Sequence, residues 1–289
     1  MHDNPQASSG LAFALPDHRL IALTGRDAAA FAQAQFMNDV AALEPGQWHW
    51  SGWLTPKGRV IALFALLKLS DEAIWLVVPD ADPGNLAAAL QRFVFRSKVA
   101  IAVRDDLRVQ GGFTRPAHAR GPALAGDAAA GIELDFSAEG GPRTVRISSD
   151  AAPADADAVS HWQAYDLAHG LPRLPASQVE HWTPQQLSLE RLQAFSVKKG
   201  CYPGQEIVAR THFLGQAKRG LVLLEASAPA PDGTDVSGES AVLGKLVAQA
   251  AAGGHHLALA VLPLERAEQP LRLESGAVRE LPLKSGLER

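Results

Sequence analysis

The sequence predicts an α+β protein, with helices packed on mostly antiparallel sheets in more than one subdomain over residues 1–215. A small β-barrel is expected over residues 216–289. Three observations carry this. Residues 19–103 alternate apolar strand-like runs with two short Ala/Leu-rich stretches of helical character, joined by turn residues. Residues 105–160 break into short strand-like runs between Gly, Pro and Ala. Beyond Gly215 only the runs "RGLVLLEA", "AVLGKLVAQA", "HHLALAVL" and "LRLES" remain, separated by Gly, Pro and Asp.

In chain order, "MHDNPQASSG" reads as a frayed tail, with neither the basic nor the apolar region of a signal peptide. Thr24-Gly25-Arg26-Asp27 resembles a capping box, and "AAAFAQAQFMNDV" after it reads as a helix ending near Asn38-Asp39. "WHWSGWL" and "RVIALFALLKL" flank Thr55-Pro56-Lys57-Gly58, whose Pro and Gly positions suit a type I turn and hence a hairpin. Within the first of these strands Trp48 and Trp50 share a face and Trp53 takes the other, so at least one Trp is expected in the core and another at the surface. "AIWLVVP" gives another strand, Asp82 or Asn85 caps a helix through "LAAALQRFVF", and "KVAIAV" returns as a strand. "RVQGG", "IELDF" and "TVRIS" follow as short strands, and "AAPADADA" at 151–158 reads as a loop. A helix resumes near "HWQAYDLAHG", with Gly170 as its C′ residue. "TPQQLSLERLQAF" offers Thr183 as N-cap and Pro184 as the first helical residue, with Leu187, Leu189 and Leu192 as its apolar positions.

Composition excludes several functions. The net charge is −4 and no Lys/Arg run is long enough for a nucleic-acid footprint, so no direct nucleic-acid partner is expected. No stretch reaches the roughly 18–20 apolar residues of a membrane span. A single cysteine forms no intramolecular disulfide, which together with the tail suggests the cytoplasm. His255 and His256 are adjacent and would point to opposite faces of a strand, and no HExxH or clustered Cys/His set exists, so no metal held by this chain alone is expected.

The one cysteine, Cys201, stands in "KKGCYPGQEIVAR". Pro203 at a first helical position would place the thiol just ahead of a helix N-terminus, beside Lys198 and Lys199. Those surroundings favour a thiolate and hence a nucleophile, a redox centre or a metal ligand, although a lone Cys is more often a small buried hydrophobe. Gly200 and Gly204 allow close backbone approach. Glu206 and Arg210 stand four apart on one helix face and suit an ion pair.

Lys199, Gly200, Cys201, Tyr202, Gly204, Gln205, Glu206 and Arg210 fill every fixed position of the signature Lys-Gly-Cys-(Phe/Tyr)-x-Gly-Gln-Glu-x-x-x-(Arg/Lys), and in this the chain resembles the YgfZ family of folate-binding proteins. "GRDAAAFAQAQFMNDV", "GWLTPKGRVIA" and "TPQQLSLERLQAFSVKKGC" extend the resemblance over most of residues 19–220. It implies an aminomethyltransferase-like folate-binding domain over residues 1–215, shared with the aminomethyltransferase of the glycine cleavage system, and a C-terminal barrel. It further implies binding of a reduced folate (tetrahydrofolate or a one-carbon derivative) and support of iron–sulfur cluster assembly or repair. The implied partners are iron–sulfur client proteins, tRNA-thiolating enzymes among them, or assembly factors. Cys201 is then the functional residue and Lys199 its electrostatic support. Tyr202, Glu206, Trp53, Arg59 and Arg219 are the candidate folate contacts, with Lys57, Arg96 and Lys98 as further cations.

Two rival readings stay open here. A true aminomethyltransferase would use an acidic residue near the helix after Val77-Val78, where the register places Asn85, with Asp80 and Asp82 just before it; an amide does not shuttle a proton. A folate-regulated scaffold in which Cys201 only packs is the other. Whether the thiol is a nucleophile, a redox group or a transient cluster ligand is equally open, as is whether the role is that of an enzyme.

Overall fold

The computed structural model describes residues 12–215 and 217–289; the segment read as an N-terminal tail lies outside the described residues. The chain opens with β1 (Phe13–Ala14) and β2 (His18–Thr24), followed by α1 (Ala28–Gln35). Next come β3 (Gln47–Leu54), β4 (Val60–Ser70), β5 (Ala73–Pro79), α2 (Pro83–Gln91) and β6 (Ala100–Val103). Strands β2 to β6 form one antiparallel sheet in the order β3-β4-β5-β2-β6. The β3–β4 hairpin closes as the sequence predicts, with the Gly58 N–H donating to the Thr55 carbonyl at 2.9 Å. Asp82 caps α2 by accepting from the Asn85 N–H at 2.7 Å.

A second antiparallel sheet pairs β1 with β7 (Arg108–Gly112), β10 (Thr144–Ser148), β9 (Gly131–Asp135) and β8 (Ala125–Asp127), in that order. Then α3 (Ala156–Ala168) begins inside the segment read as a loop, because Asp155 accepts from the Ala158 N–H at 2.9 Å and starts the helix there. Gly170, with φ of 70°, follows the C-cap as expected.

Residues 183–195 do not form the expected helix. Thr183 caps one turn, but Ser188 and Gln193 take left-handed conformations and only Leu189–Leu192 continue, as a 3-10 turn. Tertiary packing outweighs helical propensity here. Leu187, Leu189 and Leu192 are all fully buried, and the Ser188 hydroxyl leaves the local turn to accept from the Leu221 N–H at 3.0 Å.

After α4 (Gln205–Leu214) comes a closed six-stranded barrel. Its strands are β11 (Arg219–Ala226), β12 (Asp235–Ser237), β13 (Val242–Ala252), β14 (His255–Pro263), β15 (Leu271–Leu273) and β16 (Gly276–Leu281). No helix of the described residues is long and apolar enough to cross a membrane.

Alternation along the strands builds the cores. One face of the first sheet (Trp48, Trp50, Ala65, Trp75, Val77) joins the inner face of the second (Val109, Leu134, Val145, Ile147), Trp162 of α3 and the outer barrel residues Leu221 and Val261 in a central core. The opposite face of the first sheet carries α1 and α2 over Ile21, Leu23, Trp53, Phe64 and Leu76. The barrel interior is the third core. Trp53 is therefore on the face opposite Trp48 and Trp50, as the alternation predicts, but all three are buried, so none is the expected surface Trp.

Charges hold the layers in register. Arg143, fully buried, donates to Asp166 of α3 at 2.7 Å and lies 3.8 Å from the Tyr165 ring centroid. Arg173 clamps Asp80, just past β5, through both carboxylate oxygens and comes within 3.9 Å of Asp166. Burial raises the Asp166 pKa while the two guanidiniums oppose it.

Three histidines are buried neutral. Burial, with the charges of Arg173 and Arg143, lowers the pKa of His18 far below its usual value; burial brings His49 and His169 to about 4. The unfolded chain takes up these protons near pH 6.5 whereas the folded chain refuses them until far lower, so acidification favours the unfolded state. Urea titrations should show stability falling as pH drops from 6.5 to 5, by up to about 1.4 kcal/mol per pH unit for each histidine. A flat profile over that range contradicts neutral burial.

Candidate functional site

The cysteine turn is pinned at both ends by its own polar groups. The Ser196 hydroxyl accepts from the Lys198 and Lys199 N–H groups at 3.2 and 3.3 Å, and the Ser196 N–H donates to the Met37 carbonyl at 2.9 Å. The Tyr202 phenol returns to donate to the Ser196 carbonyl at 3.1 Å, and the Gln205 side-chain amide donates to the Lys199 carbonyl at 3.0 Å. Cys201 stands exposed at the outside of this turn.

The helix behind it starts later than the sequence suggests. Pro203 is not the first helical residue; Gly204, with φ of 79°, caps a helix that begins at Gln205. A Cβ at Gly204 would lie 2.6 Å from the Thr55 carbonyl oxygen and 2.8 Å from the Gly58 Cα, so both its dihedral and its neighbours require glycine. The β3–β4 hairpin tip therefore rests directly on the start of α4. Tyr202, Pro203 and the left-handed Gly204 separate the thiol from the helix, so Cys201 lies further ahead of the helix N-terminus than expected.

Lys199 stands two residues before Cys201, yet its side chain turns inward. Helix α1 ends at Gln35 because Phe36 becomes extended and bridges to Trp53, short of the predicted end at Asn38-Asp39. That leaves carbonyls without helical partners. The Lys199 ammonium donates to the carbonyls of Gln33 and Phe36, each at 2.5 Å, and of Asn38 at 3.0 Å. Three N–H donors meet three acceptors at the negative end of the helix dipole. Burial lowers its pKa to about 8, against the pull of Asp39, and leaves it protonated at neutral pH.

Asn38 extends the knot by donating to the carbonyls of Trp50 at 2.8 Å and Gln193 at 2.7 Å. Its own N–H donates to the Ser51 hydroxyl at 3.2 Å. His49 is buried beside this knot, held neutral by desolvation and by the Lys199 charge.

The remaining candidates divide. Tyr202 is buried in the central core, under the Lys199 ammonium at 5.0 Å. Gly200 is exposed beside the thiol. Glu206 and Arg210 are exposed on α4 and, among the described residues, form no ion pair, contrary to expectation; each points to solvent. Trp53 is buried against α1 and α2 with its ring edge-on to Phe93 at 5.7 Å. Arg59 donates to the His181 carbonyl at 2.7 Å and to Gln186, tying the hairpin to residues 181–186. Arg219 donates to the Leu243 carbonyl at 2.7 Å, within the barrel.

The structure thus gathers Lys199, Gly200, Tyr202, Gly204 and Gln205 around Cys201. It places Trp53 and Arg59 behind them as framework and leaves Arg219 in the barrel. Ser196 and Asn38 were missed. A serine two and three residues ahead of paired backbone N–H groups is a recognisable local motif, whereas Asn38 acts across 155 residues to Gln193 and leaves no local signal. Among the described residues, no three His, Cys, Asp or Glu side chains converge to hold a metal ion.

No protein-family model matches the chain. The crystal structure of glycine cleavage system aminomethyltransferase T from Bartonella henselae matches it with a TM-score of 0.68 at 15% identity, over 92% of this chain and 83% of that one, which establishes the fold. An uncharacterized protein of Haemophilus influenzae is 31% identical over 73% of this chain and 72% of its own length. The tRNA-modifying protein YgfZ of Aliivibrio fischeri is 28% identical over 86% of this chain and 84% of its own length. That of Vibrio vulnificus is 32% identical over 82% of this chain and 77% of its own. With this similarity across most of its length, on an aminomethyltransferase-like fold that ends in a closed barrel, the chain belongs to the YgfZ family.

Proposed function

We propose that this protein binds a reduced folate, tetrahydrofolate or a one-carbon derivative, and supports the assembly or repair of iron–sulfur clusters in partner proteins through Cys201. Clusters of tRNA-modifying enzymes are among its targets. The observation that carries this reading is the exposed thiol on a turn that Ser196, Lys199, Tyr202 and Gln205 hold in place. A residue placed to pack would face a core, and Cys201 faces solvent.

One cysteine supplies one of the roughly four thiolate ligands that a cluster takes. Its chemistry is therefore completed by a partner, either as a shared cluster ligand or in thiol exchange. A thiol presented outward is one a partner can reach. Lys199 contributes by fixing the turn, since its three N–H groups are already used on carbonyls at and just beyond the end of α1.

The folate part rests on the likeness of fold to an aminomethyltransferase. Arg59 and Arg219 each spend Nη1 on neighbouring groups, which leaves the Nε and Nη2 donors of both guanidiniums for the carboxylates of a folate tail. The transferase alternative is disfavoured at its acid. Asp80 is clamped by Arg173, Asp82 caps α2, and Asn85 stands in the first turn behind it.

The functional test is complementation of a strain lacking the protein, reading the thiolated-nucleoside content of its tRNA. The wild type should restore it, and Cys201→Ser should restore less than about a tenth of that. Equal restoration by both would make the thiol dispensable and favour the folate-regulated scaffold. Calorimetric titration with tetrahydrofolate should give binding to the wild type and, within about twofold, to Cys201→Ser, because exchanging an exposed sulfur for oxygen leaves the hydrogen bonds that hold the turn in place. Absence of binding to the wild type overturns the folate assignment.

A further inference from the structure

After α2 lies a surface of exposed phenylalanine ringed by unpaired cations. In the segment after α2, Phe95 is 85% exposed and Phe93 39% exposed. Arg92, Arg96 and Lys98 flank them, all exposed. Among the described residues, none of these three side chains has a carboxylate within 4.0 Å or a hydrogen-bond partner, although the chain as a whole carries a net charge of −4.

A chain of contacts through the core connects this surface to the cysteine turn. The Phe93 ring meets Trp53 at 5.7 Å, Trp53 bridges to the Phe36 backbone, and the Phe36 carbonyl accepts from Lys199, two residues from Cys201. On the other side, the hairpin tip carrying Lys57 rests on Gly204. Lys57 and Lys198, both exposed, likewise have no side-chain partner among the described residues.

We propose that this surface docks an acidic polypeptide segment with an apolar anchor, belonging to the partner protein that Cys201 serves. Charge complementarity and desolvation both point there. Unpaired Arg and Lys speed encounter with an acidic chain, and exposed aromatic rings beside Arg provide the anchor contacts on which interface affinity concentrates. A single-stranded nucleic acid fits less well. It needs successive free ring faces for stacking, whereas Phe93 is engaged edge-on with Trp53 and only Phe95 stands free. The proposal rests on the reading that Cys201 acts on a partner protein, and it adds how that partner is recognised.

The test is fluorescence anisotropy of the full-length protein with a labelled peptide of alternating Glu/Asp and Leu/Phe residues. A polyglutamate of equal length and an oligouridylate serve as comparators. The wild type should bind the apolar acidic peptide more tightly than either comparator, and more weakly as salt is raised. Phe95→Ser and Arg96→Glu, both at exposed positions, should each weaken binding at least about fivefold and together at least about twentyfold, with circular dichroism unchanged. Cys201→Ser should bind as the wild type does. Equal binding by the double variant, or preference of the wild type for oligouridylate, overturns the proposal. The two readings fail separately. If Cys201→Ser complements but the peptide result holds, the thiol assignment falls and the docking surface stands. If Cys201→Ser fails to complement and the double variant binds peptide normally, only the surface falls.

Discussion

A single buried ammonium ties the site to the scaffold. Lys199 sends its Nζ into the carbonyls at the end of α1, where helix geometry leaves acceptors unfilled and the helix dipole is negative. Burying a charged amine is costly, and here three matched hydrogen bonds offset the cost. Through Asn38 the same knot reaches the backbone of β3 and the segment at Gln193. The turn bearing Cys201 thus takes its shape from the helix layer of the first sheet.

This explains how neighbouring residues of one short motif do different work. Lys199, Tyr202 and Gly204 face inward and are used up in packing or close approach, and Gln205 ties the turn to the start of α4. Gly200, Cys201, Glu206 and Arg210 face outward. The inward set fixes the backbone, and the outward set is what a partner meets. Chemistry that needs a second protein fits such a division, since rigid presentation lowers the ordering entropy that association would otherwise cost.

Much of the scaffold was legible in the sequence because its signals are local. Thr55 to Gly58 closes a hairpin by the conformations of Pro56 and Gly58, Asp82 caps its helix by hydrogen bonding three residues on, and Gly170 ends α3 by going left-handed. The chain after Gly215 has strand patterning throughout and closes as a barrel. The readings that failed involve distant partners. Residues 183–195 have the composition of a helix, but three leucines and Ser188 are taken by packing and by β11. Pro203 suits a helix start, but the hairpin tip needs the left-handed Gly204 beneath it. Lys199 looked like the thiol's electrostatic companion because sequence proximity says nothing of side-chain direction, and its acceptors lie more than 160 residues away.

The most direct test of this account is hydrogen exchange, read by mass spectrometry, in wild type and Lys199→Met. If the ammonium fixes the turn, its loss leaves three carbonyls unfilled. The peptides covering residues 36–38 and 196–204 should then lose protection together, while the barrel strands keep theirs. Unchanged exchange in both segments would contradict the account and return Lys199 to the role of a charge beside the thiol.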